Sequence, residues 1–279
     1  MTVSEIKEIC ERYGIVAQKR WGQNFLADMH SIDRIIDTSE IGADDFILEI
    51  GPGVGSLTES LSQRARFVLC IEIDPVLSQY LTERFSGNRQ IEVIHQDFLA
   101  VSSETLIRRY GYPDIIISNL PYNLTTPIIL TLLGDYPNTR KMVYTVEEDA
   151  CDRIFSIPST KSYGPISIVS SIFGEKKKHF SIPANHFYPA PHTVSAVITF
   201  SKHMNETILS PLFVSFVRGA MTMRRKTIVN ALQSVPLLIG QSERIRDVID
   251  AEGISESARA ESLTPGQFVH LYRALFPDI

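Results

Sequence analysis

The sequence predicts an α/β protein: a doubly wound parallel sheet followed by a small all-helical domain. Three observations lead to that expectation. From residue 46 onward, five short apolar runs alternate with amphipathic stretches. A glycine-rich turn, Gly51-Pro-Gly53-Val-Gly55, directly follows the first run. After residue 202 the strand signal fades and the remaining spacing is helical.

Residues 1–14 place Ile6, Ile9, Cys10 and Tyr13 at helical spacing. Residues 17–26, QKRWGQNFLA, fit no period and read as a loop, and helical spacing returns over 28–40 through Met29, Ile32, Ile35 and Ile36. The runs 46–50, 67–73, 91–95, 114–118 and 141–146 are predicted strands. They are almost continuously apolar, the pattern of parallel strands covered on both faces. The stretches 55–64, 75–86, 102–110 and 125–134 suit the intervening helices, and right-handed crossovers then wind the sheet doubly. Residues 180–200 suit further strands joined by a turn that Pro183, Pro189 and Pro191 stiffen. Residues 209–221, 225–235, 241–252 and 264–275 read as helices, the last opened by a Thr264 cap with Pro265 at the first helical position. The expected organisation is a main domain over 1–204, with 1–45 as a helical and loop extension, and a helical domain over 205–279.

Composition narrows the class. With 44% hydrophobic and 21% charged residues, the chain can bury a sizeable core in the manner of a soluble globular protein. The longest apolar stretches, 67–71 and 128–133, are too short to cross a bilayer. The N-terminus mixes acids and bases without a long apolar segment, so no signal peptide is read there. Cys10, Cys70 and Cys151 stand far apart and form no CxxC pair, which speaks against a disulfide framework and a zinc site. The expectation is a cytoplasmic protein without a bound metal. A net charge of -5 is low for a nucleic-acid binder. Three basic runs, Lys19-Arg20, Lys176-Lys177-Lys178-His179 and Arg224-Arg225-Lys226, can nevertheless share a face, although any one of them also suits a solvated surface.

The glycine turn lets the chain reverse tightly and brings backbone N–H groups near a ligand at Gly51 and Gly53. The third glycine of the dinucleotide pattern G-x-G-x-x-G would fall on Ser56. The pattern here is G-x-G-x-G, the form usual in methyltransferases, and an ordinary strand–helix turn is the plainer reading of the same residues. Glu72 ends the second run, where a carboxylate can accept from both hydroxyls of a ribose. Both NAD and S-adenosylmethionine carry that diol, so Glu72 alone does not choose between them, and Asp74 is a nearby competitor. Asp97 follows the third run and can accept from a cofactor's adenine amine.

Asn119-Leu120-Pro121-Tyr122 follows the fourth run and is the most specific motif. The exocyclic amine of adenine is a poor nucleophile because its lone pair is delocalised into the ring. The side-chain oxygen of Asn119 and a nearby backbone carbonyl can both accept from that amine and favour a localised lone pair. Pro121 stiffens the turn and removes a competing donor. Tyr122 offers a stacking face, worth roughly 1–3 kcal/mol per base. With a sulfonium methyl donor neither a metal nor a strong base is required, and catalysis reduces to positioning and electrostatic stabilisation.

Taken together, these motifs resemble the ribosomal small-subunit RNA adenine N6-dimethyltransferases of the KsgA type. The resemblance spans nearly the whole chain. The segment Lys19-Arg-Trp-Gly-Gln-Asn24-Phe25-Leu26 is similar to the family's K-x-x-G-Q-N-F-L element. EIGPGVGSLT, IEID, HQDF and NLPYN are similar to its successive cofactor and target motifs. Tyr163-Gly164, Phe187-Tyr-Pro189-Ala-Pro191 and Arg224-Arg225-Lys226-Thr227 resemble its Y-G-R-L-S segment, its F-x-P-x-P turn and its R-R-K-T helix. The resemblance implies a Rossmann-like class I methyltransferase domain. Asn24, Leu26, Gly51, Glu72, Asp97 and Asn119 would contact S-adenosylmethionine. Asn119 and the carbonyl of Leu120 or Pro121 would hold the target amine, and Tyr122 and Phe187 would sandwich the adenine. Arg224, Arg225 and Lys226 would contact RNA. The implied reaction transfers two methyl groups to each of two adjacent adenines in a hairpin loop near the 3′ end of small-subunit (16S) ribosomal RNA. The implied partner is that RNA or the immature 30S subunit, a monomer sufficing, with a role in ribosome biogenesis.

Two departures stand out. His192-Thr193-Val194-Ser195 replaces the family's K-V-D-S, and Pro165 stands where the family has arginine. The alternatives are a methyltransferase of the resistance type acting on large-subunit RNA, an RNA-binding assembly factor, and an NAD-dependent oxidoreductase. The intact NLPY motif speaks against loss of catalysis, and Ser56 speaks against NAD.

Overall fold

A computed structural model describes residues 1–18, 21–203 and 208–277. The chain opens with α1 (Val3–Tyr13), β1 (Phe25–Leu26) and α2 (Met29–Ser39). Five strand–helix steps follow: β2 (Phe46–Ile50) with α3 (Thr58–Ser62), β3 (Phe67–Glu72) with α4 (Pro75–Arg84), β4 (Ile91–His95) with α5 (Ser103–Tyr110), β5 (Ile115–Asn119) with α6 (Thr125–Asp135), and β6 (Lys141–Glu147) with α7 (Glu148–Ile154). Then come α8 (Pro165–Phe173), β7 (Gly174–Ile182), β8 (Phe187–Tyr188) and β9 (Ser195–Lys202). The chain closes with α9 (Pro211–Thr222), α10 (Ile228–Leu232), α11 (Ser242–Ala251) and α12 (Pro265–Leu275).

Local chemistry explains the ends of these elements. Thr2 accepts from the backbone N–H of Glu5 while Glu5 reaches back to Thr2, a reciprocal cap on α1, and Gly14 ends the helix in the left-handed region at φ 63. Asp74 accepts from the N–H groups of Val76 and Leu77 at the head of α4, with Pro75 in the first helical position. The Thr264 cap and Pro265 start α12 as the sequence predicts.

The main sheet has the order β4-β3-β2-β5-β6-β9-β7. From β4 to β6 every pairing is parallel, and β9 runs antiparallel to β6. β2 is buried at all five positions, as expected of a strand covered on both faces. The chain steps outward from β2 through β3 to β4 and then returns to place β5 on the other side of β2. That reversal opens a crevice at the carboxyl ends of β2 and β5, where sheets of this class bind ligands. Ser118 Oγ donates to the Ile50 carbonyl at 2.5 Å and ties those two ends together.

Residues group into two compact units. The first comprises Met1–Ile128, Asn138–Cys151 and Glu175–Lys202, and the second Ile129–Pro137, Asp152–Gly174 and His203–Ile279. The expected boundary at 204/205 lies outside the described residues, and the second unit is wider than 205–279 because it takes in α8. Helical spacing was not legible in α8 (PISIVSSIF): Ile166, Ser167, Ile168, Val169, Ser170 and Phe173 are all buried, so no polar stripe marks a helix face. In the second unit the core is aromatic, with the Phe213 and Tyr272 rings edge-on at 5.0 Å and the Phe216 and Phe276 rings at 5.9 Å.

Three expected elements differ. β7 begins at Gly174, so the 176–179 basic run lies within a strand. β1 interrupts the expected loop at its end, pairing Phe25 with Tyr188 and Leu26 with Phe187. The expected helix over 225–235 starts only at Ile228, because Thr227 bridges Arg259 and the Ile228 N–H donates to the Ala258 carbonyl at 2.7 Å. No helix among the described residues is long and apolar enough to cross a membrane.

Candidate active site

The glycine turn leaves β2 at the crevice. Gly51, Gly53 and Gly55 have φ values of 66, 60 and 78. A Cβ on Gly53 would stand 2.8 Å from Phe25 Cδ1, and one on Gly55 would stand 2.9 Å from Leu81 Cδ2. A Cβ on Gly51 would meet nothing within 4 Å, which marks open space against the turn. This turn lines a cleft of about 630 Å³ together with Asn24, Leu26, Glu72 and Asn119. A neighbouring hollow of about 420 Å³ is lined by Asp97, Phe98 and Leu99. Trp21, Gly51, Ile73 and Pro121 line both, so the two hollows share a waist.

Two carboxyl groups stand at the base of the cleft. Glu72, 3% exposed, accepts from the Gly53 N–H and the Asp74 N–H, each at 3.0 Å. Burial raises its pKa to about 7 against the lowering effect of those two bonds. Each oxygen holds one of the bonds, so both keep a lone pair for further donors. Glu49 is buried beside it and accepts from Thr58 Oγ1 at 2.7 Å. Burial raises Glu49 to about 7 as well, its hydrogen bonds lowering and the Glu72 charge raising it. Asp97 is exposed, and its carboxylate caps the local turn by accepting from the Leu99 N–H at 2.9 Å.

Asn119 ends β5. Its Nδ2 donates to the Asn24 carbonyl at 2.8 Å, while its buried Oδ1 has no hydrogen-bond partner among the described residues. The donor bond fixes which end of the amide is oxygen. A buried acceptor without a donor is costly, and its presence in a cleft points to a ligand N–H. The carbonyl of Pro121 already accepts from the Leu124 N–H at 2.9 Å. Of the two carbonyls expected to assist Asn119, that of Pro121 thus has one lone pair already in use. Tyr122 is half-buried, and its hydroxyl lies 2.6 Å from Ser195 Oγ.

The N-terminal segment packs against this turn. A Cβ on Gly22, at φ 59, would stand 2.7 Å from Asn123 Oδ1 and 3.2 Å from the Tyr122 backbone nitrogen. Gln23 Nε2 donates to Asp74 Oδ2 at 3.1 Å, linking the segment to the head of α4.

Not every expected residue joins the cleft. Phe187 is 2% exposed and sits in the apolar core with Leu26, Ile32 and Ile35. The two residues of β8 point opposite ways, and Phe187 takes the inward position. The ring expected to sandwich the adenine with Tyr122 is thus held in the core. Arg224 is also committed internally: it bonds Glu261 Oε2 at 2.9 Å and the carbonyls of Lys161 and Thr160 at 3.0 and 3.1 Å. Arg225 and Lys226 remain exposed, in a turn rather than a helix. Lys19 and Arg20 lie outside the described residues. In the basic run 176–179, Lys178 pairs with Glu148 and His179 Nε2 bonds Thr199 Oγ1 at 2.9 Å.

Trp21, Gln23, Glu49 and Phe98 line the cleft without having been singled out from the sequence. All four lie inside or beside the quoted motifs, which were the available signal. Ser195 carried none, because its partner Tyr122 is 73 residues away.

A sequence model described as ribosomal RNA adenine dimethylase matches residues 15–276. The chain is 35% identical to the ribosomal RNA small subunit methyltransferase A of Geobacillus thermodenitrificans, over 99% of this chain and 97% of that protein. It is 36% identical to the Listeria monocytogenes protein of the same description, over 97% and 94% of the two chains. Among solved structures, a dimethyladenosine transferase from Plasmodium falciparum superposes with a TM-score of 0.71 at 21% identity, over 88% of this chain and 95% of that one. The 23S rRNA methyltransferase ErmE superposes at 0.60 with 27% identity, over 90% and 99%.

Proposed function

Since the chain belongs to the ribosomal RNA adenine dimethylase family, we propose that it transfers methyl groups from S-adenosylmethionine to the N6 amines of two adjacent adenines in a hairpin loop of small-subunit (16S) ribosomal RNA. The observation that carries this reading is the buried, partnerless Oδ1 of Asn119 at the edge of the cleft. Identity of 35–36% to small-subunit enzymes, against 27% to ErmE, favours the small subunit over the large one.

The cleft suits the cofactor. Open space at Gly51 admits a ligand against the backbone, Glu72 keeps lone pairs for a ribose diol, and Asp97 stands at the second hollow where an adenine amine needs an acceptor. Asn24 and Leu26 line the same cleft as the glycine turn. When bound, S-adenosylmethionine supplies an electrophilic methyl group on a positively charged sulfur.

The protein's own residues supply the rest. Asn119 Oδ1 and the Leu120 carbonyl accept from the target amine and localise its lone pair. The amide cannot rotate away, because its Nδ2 is held by Asn24. Tyr122 stacks on the extruded base, a contact worth roughly 1–3 kcal/mol. The developing ammonium is stabilised by the same two oxygens, a preorganised electrostatic effect. Arg225 and Lys226 contact phosphates of small-subunit ribosomal RNA, free or in the immature 30S subunit.

The test is a tritiated-methyl assay on undermethylated 30S and 50S subunits, with the modified bases mapped. Label on adjacent 16S adenines is expected. Label confined to large-subunit RNA, or none, overturns the reading.

A further inference from the structure

The departure His192-Thr193-Val194 is followed by Ser195, which matches the serine of the family's K-V-D-S pattern and which no proposed role has absorbed. Ser195 is fully buried at the first position of β9, opposite Glu147 of β6. Its Oγ lies 2.6 Å from the Tyr122 hydroxyl.

We infer that Ser195 is a positioning residue for the methyl transfer: it anchors the far end of the Tyr122 ring to the sheet, so that the ring presents one fixed plane to the target adenine. The inference rests on the reading of Tyr122 as the stacking residue.

The near end of the ring is set by the backbone. Pro121 has φ -62, the Leu124 N–H closes the turn onto the Pro121 carbonyl, and Thr125 Oγ1 lies 3.3 Å from the carbonyls of Pro121 and Tyr122. That fixes the Tyr122 Cα but leaves its two side-chain torsions to be chosen by packing. A hydrogen bond at the para position fixes where the ring axis ends, and because a phenolic O–H prefers the ring plane it also favours one rotation of the ring about that axis. The anchor itself cannot move: Ser195 starts a strand whose next five residues are all buried and which pairs with β6 over seven consecutive positions. A flexible loop donor would confer no such restraint. Burial keeps the Tyr122 proton on by raising its pKa, so the hydroxyl can serve as donor or acceptor across the neutral range. Stacking weakens as two rings depart from parallel offset contact, and an amine displaced by a fraction of an ångström from its line of attack reacts more slowly. A fixed ring plane therefore acts on the rate of transfer more than on cofactor affinity.

The test is a double-mutant cycle in the full-length protein on undermethylated 30S subunits. Ser195→Ala, Tyr122→Phe and the double variant are compared by single-turnover methyl transfer, by calorimetric affinity for S-adenosylmethionine, and by melting temperature. Each single variant is expected to slow transfer by about three- to tenfold, the range one neutral hydrogen bond supports. Cofactor affinity should stay within about twofold, and the double variant should be no slower than the slower single, as expected of two partners in one contact. Ser195→Thr, which keeps the hydroxyl, should recover most of the rate. If Ser195→Ala unfolds the protein, Tyr122→Phe reports on the same bond from the other side and carries the test. A wild-type rate in Tyr122→Phe, effects that multiply in the double variant, or no recovery in a folded Ser195→Thr overturns the inference. A wild-type protein that leaves 16S adenines unmodified overturns the functional reading instead.

Discussion

The Asn119 side chain donates to the Asn24 carbonyl at 2.8 Å, across 95 residues of sequence. In the proposed reaction this bond leaves the amide oxygen to accept from the adenine amine. Asn119→Ala removes the acceptor and is expected to lower methyl transfer by about 10²–10³-fold or more, the loss typical of one preorganised charge-stabilising group. The variant also loses the Nδ2 bond to Asn24, so stability should fall by about 0.5–1.5 kcal/mol, far too little to account for the lost rate. Asn119→Asp is expected to fail as well, since a carboxylate cannot donate to Asn24. Single-turnover assays with thermal melts check both outcomes.

Gly53→Ala places a methyl group 2.8 Å from Phe25 at a φ of 60. The backbone conformation disfavours any L side chain, and the clash pushes β1 away from the cleft. The expected result is a loss of about 1 kcal/mol or more in stability and at least tenfold weaker binding of S-adenosylmethionine. Denaturant melts and calorimetry measure the two effects.

Glu49 and Glu72 both have pKa values raised by burial from 4.5 to about 7. Between those values the folded protein binds protons that the unfolded chain has released. Stability of the ligand-free protein should therefore fall as pH rises from 4.5 to 7, by at most roughly 3 kcal/mol for each group. Glu49→Gln should flatten that slope. Over the same window the affinity for S-adenosylmethionine should rise with pH, because a ribose diol needs Glu72 ionised. Chemical denaturation and calorimetry at several pH values test the two opposing trends.

Trp21 is the single tryptophan of the chain and lines both hollows of the cleft. Its emission should change saturably when S-adenosylmethionine is added, with the midpoint found by calorimetry. Trp21→Ala should weaken cofactor binding by about tenfold, in keeping with lost aromatic contact area. An unchanged spectrum at saturating cofactor would place the ligand elsewhere.

Arg224 and Arg225 should separate in their effects although they are neighbours. Arg224→Ala breaks three internal bonds and should cost about 1–3 kcal/mol of stability. Arg225→Ala should leave the melt unchanged and reduce the salt dependence of RNA affinity by about one unit of slope. Filter binding at several salt concentrations distinguishes them.

What could be read in advance was what repeats locally. The buried strands declared themselves by apolar continuity, the flanking helices by period, α12 by its Thr264-Pro265 start, and the cleft by glycines and carboxyl groups at the ends of strands. Each signal lies within one element, because backbone geometry sets its period and its caps.

Partnership was decided only in three dimensions. The sequence by itself determined the parallel α/β scaffold, the glycine turn after β2, and the polar turn after β5. It left open that α8 joins the second unit and that Ser195 meets Tyr122, and the places expected for Phe187 beside the adenine and for Arg224 on RNA give way to the core and to Glu261. A side chain's burial and hydrogen bonds depend on which distant segment folds against it. Residues of one type, such as Arg224 and Arg225, are then separated by a single turn of backbone that no local pattern encodes.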